Sequence, residues 1–208
     1  FFKFIQFVLF IFSIYSSAFD MYSSSSISLT KPHFKLYFCA YVFSASYLFS
    51  IFISMFFSFF SLESLNLDSF NTNEVVDMNS MFYACTSLTS LNLNHFNTNK
   101  VTNMSGMFGL CEKLTSLNLT PLNTQNVTDM SDMFYNCSGL TTLDLSPLNT
   151  QKVTNMSWMF YNCSGLTALD LSLIDTSKVT NMNAMFKDCS TLTHLSLGEK
   201  FAFVGSEY

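Results

Sequence analysis

Charge is scarce in this chain of 208 residues: Asp, Glu, Lys and Arg make up 11% of it, and the net charge is −5. No basic patch is available to neutralise phosphates, which argues against nucleic acid as a partner. None of the six cysteines falls in a Cys-x-x-Cys pair, so zinc and thiol-redox chemistry lack a framework. The three histidines, His33, His95 and His194, stand at unrelated positions with no acidic or cysteine partner at ligand spacing. A Gly-rich phosphate loop, a Gly-x-Ser-x-Gly elbow and a unique carboxylate pair are also missing. The expectation is a protein that is not an enzyme, with no catalytic residue, no cofactor and no metal.

What the chain does have is a period. Leucine recurs at Leu62, Leu88, Leu114, Leu140, Leu166 and Leu192, and cysteine at Cys85, Cys111, Cys137, Cys163 and Cys189, always 26 residues apart. Five units fill 62–191 without insertion or deletion. A fixed period in this range marks a stack of units, none of which buries its apolar side alone. Within the unit 88–113, Leu88, Leu91 and Leu93 follow an L-x-x-L-x-L pattern, and the alternation of Leu91 and Leu93 with polar residues predicts a short strand. Phe96-Asn97-Thr98 turns the chain. Val101, Met104, Met107/Phe108 and Cys111 then follow the spacing of one helical face, which predicts a short helix. Gly106 sits mid-helix on this reading. Ser80, Asp132, Trp158 and Ala184 take its place elsewhere, so the position reads as outward and indifferent.

The expected fold is therefore an α/β repeat solenoid. It is a leucine-rich-repeat-like stack with a parallel sheet of short strands on one side and short helices on the other. Residues 192–208 keep the leucines of the strand but lose the Met-Phe segment, and Phe201, Phe203 and Val204 read as a closing strand. Ahead of the repeats, 1–35 reads as an apolar leader resembling a truncated secretory signal, since the chain begins with Phe. Segment 36–61 has two readings. Ser54-Met55-Phe56-Phe57 aligns one period before Ser80-Met81-Phe82-Tyr83, as in a degenerate capping repeat. The same uncharged stretch also has the length of a membrane-spanning helix.

The recurring cysteine and Met-Phe columns read as core: small buried thiols, and methionines packed at helical spacing. Thiols one rung apart fall within disulfide range, yet their Cβ vectors run parallel and not toward each other. Asn-x-Ser/Thr sequons at Asn103, Asn118, Asn126, Asn136, Asn155 and Asn162 are spelled by the repeat consensus itself.

The string from Leu140 through Asn149-Thr-Gln-Lys-Val-Thr-Asn-Met-Ser-Trp-Met-Phe-Tyr-Asn-Cys163 resembles the BspA-like leucine-rich repeat surface proteins. Its distinctive block recurs at Val101, Val127, Val153 and, with Asn for Ser, Val179. The first copy departs from it, with Val76 in place of Thr. The resemblance covers Leu62 to about Val204. It implies a secreted or cell-surface protein that adheres to host or neighbouring-cell surface proteins or glycans, with membrane attachment through 1–61 as one route. The candidate ligand-binding face is the outward strand side: Asn66, Asn92, Asn118, Asp144 and Asp170, flanked by Ser90, Ser116 and Thr142. The sole tryptophan, Trp158, forms a second candidate patch with Tyr135 and Tyr161. Adhesion competes with two other readings, a non-binding structural spacer and an intracellular interaction scaffold.

Overall fold

The computed structural model describes residues 63–67 and 71–205. Segments 1–35 and 36–61 lie outside the described residues, as do Leu62, Asp68 and His33, so the leader, cap and membrane readings fall there.

The backbone of the Met-Phe segment is what joins one repeat to the next. In the second repeat the N–H groups of Met104, Gly106, Phe108 and Leu110 donate to the carbonyls of Asp129, Ser131, Met133 and Tyr135, at 3.0, 2.8, 3.0 and 2.6 Å. The same set recurs at the other junctions, from Met78 to Asn103 through Asn162 to Lys187. One column also pairs in parallel from repeat to repeat: Asp77, Asn103, Asp129, Asn155 and Asn181.

This bonding replaces the expected helix. An α-helix would direct those amides to carbonyls four residues back in the same segment. Instead they reach across to the neighbouring repeat, and no α-helix forms among the described residues. Short turns fill the alternate positions, Met107 N–H to Met104 C=O at 3.2 Å and Cys111 N–H to Phe108 C=O at 3.2 Å. Turns closing on a residue three back keep an inward spacing near that of a helix. The Val, Met, Phe and Cys columns are buried as the spacing requires, although the local conformation differs.

The turns demand left-handed backbone twice per repeat. Gly106 has φ 60°, and Leu110 four residues on has φ 60°. Their counterparts Ser80/Ala84, Asp132/Asn136, Trp158/Asn162 and Ala184/Asp188 all have φ between 51° and 63°. The position of Gly106 is thus constrained and not indifferent. It favours glycine, and four of the five copies place a strained L-residue there.

The leucine segments are held differently. Only two of them form strands among the described residues, β1 (Ala168–Leu171) and β2 (His194–Leu197), which pair in parallel with Ala168 opposite His194 and Leu171 opposite Leu197. Leu169 and Leu171 of β1 are buried, whereas Leu195 and Leu197 of β2 are 37% and 47% exposed. Beyond β2, Phe201 is buried, and Phe203 meets Phe186 edge-on at 6.3 Å.

Between the two sides lies one core. Phe82, Phe108, Phe134, Phe160 and Phe186 stack in a column at 5.6–5.8 Å between centroids, with rings within 12° of parallel. Two methionine columns flank it, Met104 and Met107 in the second repeat, each fully buried. Buried apolar area of this kind supplies most of the driving force.

Polar residues turn each rung. Asn97 Oδ1 accepts the N–H of Asn99 at 3.1 Å, Asn103 Oδ1 that of Ser105 at 2.9 Å, and Asn92 Oδ1 that of Asn94 at 3.0 Å. Each is an Asx turn, in which the side chain supplies the acceptor the backbone lacks. A buried threonine then clamps each rung to the next. Thr124 Oγ1 donates to Asn149 C=O at 3.0 Å and accepts Asn149 N–H at 2.7 Å. Thr72, Thr98 and Thr150 do the same. Thr176 uses Ala202 in the closing segment.

Candidate interaction surfaces

The outward residues of the leucine segments come together as one exposed face. Asn66, Asn92, Asn118, Asp144 and Asp170 are all exposed, as are Ser90, Ser116 and Thr142. At its C-terminal end a shallow open groove of about 380 Å³ runs between Thr142, Asp144, Ala168, Asp170, His194 and Ser196.

Half of the polarity on this face is already committed. Asn118, Asp144 and Asp170 each accept the amide of the residue two ahead, at 3.0, 2.9 and 2.8 Å, as Asn92 does. The bonds lower both carboxyl pKa values. For Asp144 the hydroxyl and then the amide of Ser146 hold it below the usual carboxylate range, and for Asp170 the amide and then the hydroxyl of Ser172 do so. Both therefore stay charged into mildly acidic solution, each with one oxygen turned to its own backbone. Sequence reasoning missed this capping role, because an Asn or Asp at these positions reads equally as a ligand contact. Ser90, Ser116 and Thr142 take part in no such turn, so they are the freer part of the face.

The aromatic residues also gather. Tyr135 stacks on Tyr161 at 5.2 Å with the rings 9° from parallel. Trp158 tilts against both, 4.8 Å from Tyr161 and 6.2 Å from Tyr135. All three are partly exposed. One repeat earlier in the tyrosine column stands Gly109, and the ring of Tyr83 lies 2.7 Å from where a Cβ would be. A side chain larger than hydrogen would displace that ring.

The cysteine column is chemically quiet. Cys85, Cys111, Cys137, Cys163 and Cys189 are all free. The thiols of Cys111, Cys137 and Cys163 donate to the carbonyls of Phe82, Phe108 and Phe134, at 3.2, 3.1 and 3.1 Å. Burial pushes the Cys85 thiol up to about 11 and raises Cys111, Cys137 and Cys163 further, so thiolate is suppressed along the column. Sequence reasoning foresaw the burial and missed the thiol-to-carbonyl bonds. Several sequon asparagines are likewise engaged: Asn162 donates to Asn136, Asn136 to Glu112, and Asn155 to Asp129. Among the described residues no three His, Cys, Asp or Glu side chains converge where a metal ion would sit. Nor, among them, is any helix long and apolar enough to cross a membrane.

An uninterrupted array of hydrogen-bonded repeats with exposed polar columns defines a repeat protein. A family described as "Mycoplasma protein of unknown function, DUF285" matches residues 51–166 and 112–198, and the chain belongs to that family. Among solved structures it is similar to a leucine-rich cell surface protein from Faecalibacterium prausnitzii A2-165, at 22% identity and a TM-score of 0.40. That similarity covers 62% of this chain and 31% of the other protein. No curated protein matches.

Proposed function

We propose that the chain is a BspA-like, surface-displayed repeat module that adheres to host or neighbouring-cell proteins or glycans. On this reading the repeats form a solenoid whose strand-side face is the contact surface, and the chain carries no catalytic activity. The supporting observation is the face itself: small polar side chains repeated every 26 residues, exposed, and fixed by Asx turns. Trp and Arg anchors, which dominate tight interfaces, are absent from these columns. Contact through them is weak per rung and gains from repetition, so attachment is multivalent.

Lys substitution at Ser90, Ser116 and Thr142 tests the face without touching the turn-capping residues. The triple variant is expected to fold as before and to lose attachment to immobilised matrix proteins or glycans. Unchanged attachment would overturn the strand-side face as the contact surface, and no attachment by the unaltered chain would leave the spacer reading in its place. Surface display is checked by treating intact cells with trypsin, for which Lys100, Lys113, Lys152 and Lys178 are sites within the repeats. Repeat peptides released before lysis support display. Peptides released only after lysis favour an intracellular scaffold.

A further inference from the structure

Trp158 is the most bulky residue in the chain to occupy left-handed backbone, at φ 60°. The same position in other repeats holds Ser80, Gly106, Asp132 and Ala184, all small or short. The turn imposes this conformation on every repeat, so what sets Trp158 apart is the size of the side chain placed there. Neither core packing nor turn geometry calls for an indole here, since Ala184 takes the same conformation at φ 53°.

The indole is not isolated. It leans on Tyr161 and Tyr135, and the three rings make one partly exposed platform. Acidic residues stand beside that platform in the repeat pattern. Asp132 stands one repeat before Trp158 in the same column, and Asp188 lies near enough to Tyr161 to raise the pKa of its phenol. Glu112 anchors the Asn136–Asn162 row that runs beside the rings. Lys187, next after Tyr161 in its column, and Lys113 are the basic residues nearby in the repeat pattern, so carboxylates outnumber them. Aromatic faces carry negative potential and attract cations, most strongly for tryptophan, and flanking carboxylates add to that attraction.

We propose that the Tyr135–Trp158–Tyr161 platform is a binding site for cationic side chains, arginine or lysine, on a basic segment of a partner protein. The site is distinct from the strand-side face, so it stands or falls independently of the adhesion reading above. An arginine guanidinium stacks on the Trp158 face and meets Asp132 or Asp188 at its edge, which combines planar stacking with paired hydrogen bonds.

Trp158 is the only tryptophan in the chain, so its emission reports on this site alone. The full chain is titrated with a hexa-arginine peptide, with hexa-glutamate and maltohexaose as comparisons. A saturable change in Trp158 emission is expected for hexa-arginine alone, weakening as salt is raised. The double variant Asp132→Asn/Asp188→Asn, checked for an unchanged melting profile, is expected to bind about tenfold more weakly. Trp158→Ala, whose backbone conformation Ala184 already adopts, is expected to lose a similar factor by calorimetry. Three results would overturn the proposal: no response to hexa-arginine, a stronger response to maltohexaose, or undiminished binding by the double variant and Trp158→Ala. The second would mark a saccharide platform, and the third a diffuse attraction to an acidic chain.

Discussion

The two sides of each repeat are built on different principles. On the Met-Phe side, at least five backbone hydrogen bonds cross every junction, the Phe rings stack, and the thiols cap carbonyls. On the leucine side, regular strand pairing is confined, among the described residues, to β1 with β2, and burial of leucine does most of the holding. The ladder side is over-determined and the leucine side is not. A surface free of ladder constraints tolerates substitution, which suits the side presenting the candidate contact face. The strained aromatic platform, in contrast, sits on the side where the backbone is fixed most firmly.

The largest expected effect separates the two sides directly. Phe134→Ala removes the middle of the ring column and should cost about 3–5 kcal/mol, while Leu143→Ala should cost about 2–3 kcal/mol. Urea unfolding of the two variants measures both. Equal losses would mean that the ladder adds nothing to packing. Hydrogen exchange sharpens the same contrast: the amides of Met130, Asp132, Phe134 and Asn136, all bonded across a junction, should exchange more slowly than those of Thr141 to Asp144.

Next in size is the threonine clamp. Thr124→Val keeps the volume but strands the part-buried N–H and C=O of Asn149, for about 1–3 kcal/mol, whereas Thr124→Ser should cost far less. Alkaline pH probes the ladder side through its thiols. Because burial raises the folded Cys85 pKa from 9.0 to about 11, the unfolded chain releases that proton first. Stability should be fully present below pH 9 and decline as pH rises toward 11, and a Cys85→Ser variant should flatten that part of the curve. The smallest effect runs the other way. Ala184→Gly relieves a left-handed residue at φ 53° and should raise stability by about 1 kcal/mol, seen as a higher melting temperature.

Periodicity made much of this legible in advance. Every Leu, Met, Phe and Cys column of the central repeats is inside, and every residue of the predicted strand-side face is exposed. Spacing alone could not distinguish a helix from a run of turns closing three residues back, because both turn the same residues inward. The deciding fact is where the amides of Met104, Gly106 and Phe108 go, and that depends on a neighbour 26 residues away. Gly106 was the available clue, as a residue suited to left-handed backbone, but four non-glycine counterparts masked it. On the candidate face, the residue types at Asn92 and Asp144 were visible while their capping role was not, since the same side chains serve ligand and turn alike.

The ladder also has a direction. At each junction four amides of the Met-Phe segment point toward the following repeat, and the amide of Thr102, Thr128, Thr154 or Thr180 points back to the preceding one. A copied unit inserted at any junction meets the same pattern of donors and acceptors that its template did. An inverted unit would set amide against amide. Tandem duplication is therefore the one edit this architecture accepts without repair, and an array so wired can change its length in steps of 26 residues while its surface chemistry drifts column by column.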